Sequence, residues 1–166
     1  EIRDSLGVEE ISTYLTGLNQ LFGPHTRIYL TIREMPARTT EDYENIVRRL
    51  EAVGPYIDQR ITIYREAMKA GLRQPRLVIE LIIKQLDAQA AQTADERALL
   101  AAFRKFPDTF DEADKQRLLK AGTTAYNETF LPAWKKFRGF LEPPKGLPRI
   151  RHTDGDAYTI LAALNR

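Results

Sequence analysis

The feature that most constrains this chain is a spacing. Apolar side chains recur every three or four residues through one segment after another, and Gly or Pro stands between the segments. An α-helix turns once in about 3.6 residues, so this spacing gathers the apolar groups on one face that a neighbour must cover. Ile11, Tyr14, Leu15, Leu18, Leu21 and Phe22 make the first such face, in a helix expected from Leu6 to Phe22 and stopped by Gly23-Pro24. The next stretch, Arg27 to Arg38, is different. Ile28, Leu30 and Ile32 alternate weakly and Pro36 follows, which predicts an extended connection with room for one short strand.

Thr39 opens the next helix, with Asp42 at the capping-box spacing and Glu41 near the positive helix end. Its apolar face is Tyr43, Ile46, Val47, Leu50 and Val53. Gly54-Pro55 predicts a break. Pro55 can start a further helix, because its missing N–H is not needed there, and that helix carries Ile57, Ile61, Tyr64 and Met68 to a cap at Gly71. Pro75 starts another, with Val78, Ile79, Ile82, Ile83 and Leu86 as its stripe and a polar, Ala-rich tail from Ala88 to Ala94 that is expected to fray. Thr93 with Glu96 offers a second capping box ahead of a short helix from Ala98 to Phe106. Thr109 with Glu112 offers a third, ahead of the longest helix, Asp111 to about Leu141. Pro132 lies inside that run and predicts a kink or break near Thr129. The Pro-rich stretch from Glu142 to Pro148 is a stop, and Asp154 can cap a last helix from Asp156 to Leu164. The reading is all-α: an irregular antiparallel bundle of about six to seven helices, with one long kinked helix near Pro132, in a single helical domain or lobe over residues 1–166.

Composition narrows the function classes. With 25 basic and 23 acidic residues mixed along the chain, there is no basic stripe of the kind that neutralises nucleic-acid phosphates. The densest cluster, Lys135-Lys136 with Arg138, reads as a solvated helix face. No apolar run approaches the roughly 18–20 residues needed to span a bilayer. Cysteine is absent, which removes disulfides and thiolate chemistry together. The two histidines, His25 and His152, each fall in an expected loop with no Glu beside them, and read as surface residues rather than zinc ligands. Ser5 and Ser12 lack a nucleophile elbow, and no Gly-rich phosphate loop occurs. The acidic pairs Glu9-Glu10, Glu41-Asp42, Asp95-Glu96 and Asp111-Glu112 all stand at expected helix starts, where they complement the helix dipole. These residues assemble no catalytic or metal site and call for no cofactor in this chain.

Two sets of residues remain as candidates. Asp58, Arg65 and Arg76 could form a polar seam along a cleft, with Asp58 and Arg65 seven residues apart on one helix face. The alternative for them is ordinary surface ion pairing. Trp134, Phe137 and Phe140 line the end of the long helix; they read as core, or else as a face that docks on another part of a larger protein.

A set of ordered segments carries a family likeness. Arg38-Thr39-Thr40-Glu41-Asp42-Tyr43, Arg49-Leu50-Glu51-Ala52, Tyr56-Ile57-Asp58-Gln59, Arg65-Glu66-Ala67-Met68, Gln74-Pro75-Arg76-Leu77-Val78-Ile79-Glu80, Phe106-Pro107, Leu131-Pro132-Ala133-Trp134 and Asp154-Gly155-Asp156-Ala157-Tyr158 resemble the bacterial domain-of-unknown-function 885 family. The resemblance implies a helical, zinc-dependent peptidase, exported or lipid-anchored, so a periplasmic or exported location is favoured. It also implies that zinc belongs to a His-Glu-x-x-Pro-Gly-His stretch lying C-terminal to the region matched; no position here matches that stretch. A start at Glu1 without Met fits a removed leader or a piece of a longer protein. The expectation is therefore a non-catalytic helical lobe of a peptidase-like protein, packing against a missing catalytic half and lining a substrate cleft. The alternative is a stand-alone helical interaction module that holds a partner or self-associates.

Overall fold

The computed structural model describes residues 17–70, 74–93 and 97–142. Its helices are α1 (Pro24–Arg33), α2 (Thr40–Glu51), α3 (Val53–Lys69), α4 (Arg76–Ala90), α5 (Glu112–Ala125) and α6 (Leu131–Leu141), with two 3₁₀ turns, Ala98–Leu100 and Ala102–Arg104, between α4 and α5. The described residues are all-α. Because α2 runs into α3 and α5 into α6, they form four joined helical stretches rather than the expected six to seven helices. Of the helix expected over Leu6 to Phe22, residues 6–16 lie outside the described residues, as does the whole helix expected over Asp156 to Leu164.

The first helical stretch departs most from expectation. Residues 17–22 form turns and bends rather than the end of a helix: Asn19 Oδ1 accepts from the backbone N–H groups of Leu21 (2.8 Å) and Phe22 (2.9 Å), an Asx turn. Gly23, at φ 149°, lies where L side chains rarely go, so glycine is required there. Pro24 then begins a helix instead of ending one, with its fixed φ suited to the first position. The expected strand is thus helical. Ile28 and Ile32, four apart, turn into the core, whereas Leu30 between them is half exposed.

Thr39 caps α2 as predicted. Its hydroxyl accepts from the Asp42 N–H (3.2 Å), and Asp42 Oδ2 accepts from the Thr39 N–H (2.9 Å) and the Arg38 N–H (3.0 Å). Those two donors hold the Asp42 carboxyl below its usual range. The Gly54-Pro55 break falls two residues early, at Ala52. Pro55 cannot donate to Glu51, so the hydrogen-bond ladder is interrupted there and α3 sets off from Val53. For α3 the expected face, Ile57, Ile61, Tyr64 and Met68, is buried throughout. Helix α4 ends at Ala90, three residues into the tail expected to fray, and residues 91–93 are no longer helical. The short helix expected from Ala98 to Phe106 is instead the pair of 3₁₀ turns. Glu96, the second half of its expected cap, lies outside the described residues.

At α5 the cap is Asp111, which accepts from the Asp114 N–H (2.7 Å), and not Thr109. The irregularity expected near Thr129 takes the form of a π turn, Tyr126–Phe130, joining α5 to α6 without a gap. The Leu131 N–H donates to the Tyr126 carbonyl, five residues back, which widens the turn just before Pro132. In a tighter turn the proline ring would press on the carbonyl four residues earlier.

These helices share one core. Helix α2 packs on α5, while α3 and α4 pack on α6 and α1 lies against α3 and α4. Tyr43 centres one aromatic cluster, stacked on Phe106 (4.7 Å between centroids) and edge-on to Phe103 and Phe110 (5.4 Å each). Gly122 admits the Phe103 ring, because a Cβ there would stand 2.8 Å from it. Phe130, Trp134 and Tyr29 form a second cluster, with Phe130 and Trp134 stacked at 4.7 Å.

Candidate functional site

The expected polar seam resolves into separate contacts. Asp58 Oδ1 pairs with Lys136 Nζ at 2.6 Å, tying α3 to α6 across an exposed edge. Arg65 lies over the Phe140 ring, 5.7 Å from its centroid. Arg76 Nε donates to Glu80 Oε1 at 2.6 Å within α4. Helix-to-helix ties account for other charges too. Arg138 Nε donates to Asp87 Oδ1 (2.9 Å) and its other nitrogens reach Asp87 and Glu142, which raises the guanidinium pKa further. Arg117 links α5 to Glu44 of α2 at 3.1 Å. Lys136 and Arg138 of the basic cluster are therefore both ion-paired.

The candidate docking residues are mostly enclosed. Trp134 and Phe137 are fully buried, and only Phe140 is partly accessible. Trp134 belongs to a partly buried polar thread: its Nε1–H donates to Gln89 Oε1 (3.1 Å), and Gln89 Nε2 donates to the His25 carbonyl (3.1 Å). His25, expected on the surface, is 0% exposed. Pro24 starts the helix so early that the imidazole is carried inward beside Leu18 and Gly23. Neither ring nitrogen has a hydrogen-bond partner among the described residues. Burial lowers the His25 pKa below its usual 6.5, against a smaller opposing effect from the Gln85 side chain. Tyr29 is buried nearby, and burial together with the neighbouring Tyr126 raises its hydroxyl well above the ordinary tyrosine value.

A different set of residues opens to solvent. Where α1 crosses the joint between α2 and α3, a groove of about 280 Å³ is lined by Arg27, Ile28, Thr31, Ile32, Arg49, Ala52, Val53 and Tyr56. The four α1 residues fall at i, i+1, i+4 and i+5 and so share one face. Ala52, the small residue at the helix joint, leaves the space unfilled. Ile28, Ile32 and Val53 form an apolar floor, and Arg27 and Arg49 stand exposed on the rim. Among the described residues neither guanidinium has an ion pair or a hydrogen bond. Chemically the groove offers two cationic forks, two hydroxyls and an aliphatic surface. That set can bind and orient; it holds no nucleophile with an adjacent base.

The sequence reading missed this groove. The signal available was the four-residue repeat of Ile28/Ile32 and Arg27/Thr31 behind Pro24, which the weak alternation obscured. Nothing in sequence order brings Arg49 next to Arg27. Among the described residues no three His, Cys, Asp or Glu side chains are grouped to hold a metal ion, and no helix is long and apolar enough to cross a membrane.

No curated protein and no solved structure matches this chain. One family profile does, that of a bacterial protein of unknown function (DUF885), and it aligns over residues 1–160. With nearly the whole length matched, the chain belongs to the DUF885 family.

Proposed function

We propose that this chain is a non-catalytic helical lobe of a zinc-dependent-peptidase-like protein, packing against a catalytic half and lining one side of a substrate cleft. The observation that carries the reading is the groove over the α2–α3 joint, whose side chains are of the kinds that hold a ligand and not of the kinds that cleave one. The ion pairs Asp58–Lys136, Arg138–Asp87 and Arg117–Glu44 run between helices and suit a rigid wall. His25 serves packing in this reading. In this reading zinc would belong to a His-Glu-x-x-Pro-Gly-His stretch on another part of the protein.

Leu21 and Phe22, 68% and 64% exposed, favour the second reading, a stand-alone interaction module with an apolar edge for a partner. Hydrogen exchange separates the two. The chain alone is compared with a protein in which the same sequence continues through the His-Glu stretch. A lobe predicts slower exchange around α1 in the longer protein, together with bound zinc and chelator-sensitive peptide cleavage there. Equal exchange around α1 in both, with zinc in neither, counts against the lobe and for the module.

A further inference from the structure

We infer that the groove under Arg27 and Arg49 binds the C-terminal carboxylate of a peptide that ends in an apolar residue. Two features meet there. Among the described residues the two guanidinium groups on the rim have no partners, and no Asp or Glu lines the groove. A guanidinium presents parallel N–H donors that match the two oxygens of a carboxylate. The floor is aliphatic: Ile28 and Ile32, 8% and 3% exposed, with Val53 beside them and Tyr56 as a half-buried wall. An anion alone would use the rim and leave that floor in water. An apolar side chain attached close to the carboxylate uses both.

The volume limits the occupant. About 280 Å³ is slightly below the range of roughly 300–1,000 Å³ for small-molecule sites, so the groove takes one residue and its terminus rather than a long peptide. Thr31 and Tyr56 add hydroxyls that can reach the last peptide group. This inference rests on the lobe reading insofar as it names which end of a substrate the lobe holds, but its test needs no catalysis.

The test is a chemical-shift titration of the 166-residue chain with N-acetyl-Ala-Leu, with its C-terminal amide, and with inorganic phosphate. Saturable shifts of the Ile28, Ile32 and Val53 methyl groups are expected with the acid. The amide should bind about tenfold more weakly or worse, since it forfeits charge-assisted hydrogen bonds. Arg27→Gln and Arg49→Gln should each weaken the acid by about tenfold. Arg48→Gln, exposed on the same helix but outside the groove, should leave it unchanged. The inference is overturned if acid and amide bind alike, if phosphate matches the peptide, if no saturable shift appears, or if the shifts follow protein concentration as in self-association. Binding of the acid without zinc or cleavage in the longer protein would retire the lobe reading and keep the site. A zinc peptidase whose lobe ignores the carboxylate would do the reverse.

Discussion

His25 makes stability depend on pH in a way that can be calculated. The ring is fully buried, beside the positive end of α1. Burial lowers its folded-state pKa below the 6.5 of an unfolded chain. The unfolded chain therefore takes up a proton first as pH falls. The stability contributed by this depression is complete above 6.5 and drains away below it, until pH reaches the folded pKa. Within that window one proton separates the two states, so stability falls by up to ~1.4 kcal/mol per pH unit. Urea unfolding followed by circular dichroism between pH 7.5 and 4.5 measures the slope, and His25→Leu, similar in bulk and unable to ionise, removes it. The difference between wild type and variant isolates His25 from His152 and the carboxylates. An NMR titration of the His25 ring gives a second reading should the variant fold poorly. Equal slopes in the two proteins, or a His25 ring that titrates at or above 6.5 in the folded state, would refute the argument.

Two glycines on the same helical stretch should respond in opposite directions to alanine. At Gly139 an added methyl meets nothing within 4 Å, so Gly139→Ala should raise stability by about 1 kcal/mol through helix propensity. At Gly122 the methyl would stand 2.8 Å from the Phe103 ring, itself wedged against Tyr43. Overpacking of ~1–3 kcal/mol should outweigh the propensity gain, and thermal melting of both variants shows whether the signs differ. Thr39→Ala removes the side-chain bond to the Asp42 N–H and should cost about 1 kcal/mol in urea unfolding. Trp134→Ala empties the centre of an aromatic cluster and strips Gln89 Oε1 of its donor; a loss of ~3–5 kcal/mol is expected in the same assay.

Where a segment's own periodicity decided its structure, the sequence was readable. Tyr43, Ile46 and Leu50, and then Ile57, Ile61, Tyr64 and Met68, are buried as their spacing predicts, and Thr39 and Asp42 close the capping box. Trp134 and Phe137 are core, the first of the two readings open to them. Local competition defeated the reading elsewhere. In α1, Ile28, Leu30 and Ile32 fit a strand's alternation as well as a helix's four-residue step, and only the burial of the outer two, with Leu30 left in water, resolves the ambiguity. At α5, Thr109 and Asp111 could each cap, and the nearer one does. Pro132 announced an irregularity but not that a widened turn would absorb it.

The candidate site was less legible for a different reason. Arg27 and Arg49 come together because α1 crosses the helix joint at Ala52, a crossing set by tertiary packing and invisible to local pattern. His25 was misplaced with its helix: once Pro24 starts α1, the next residue faces inward. Helical spacing puts Asp58 and Arg65 on one face, but Lys136 pairs with the first, the Phe140 ring lies beside the second, and Arg76, on another helix, pairs with Glu80.

On the proposed reading, this polypeptide supports and binds substrate but does not turn it over. The most direct test is the purified chain, free of any other protein, incubated with zinc and a mixture of unstructured peptides and analysed by mass spectrometry. Intact peptides, and no stoichiometric zinc retained after gel filtration, are predicted. Cleavage products that vanish when the metal is chelated would contradict the account.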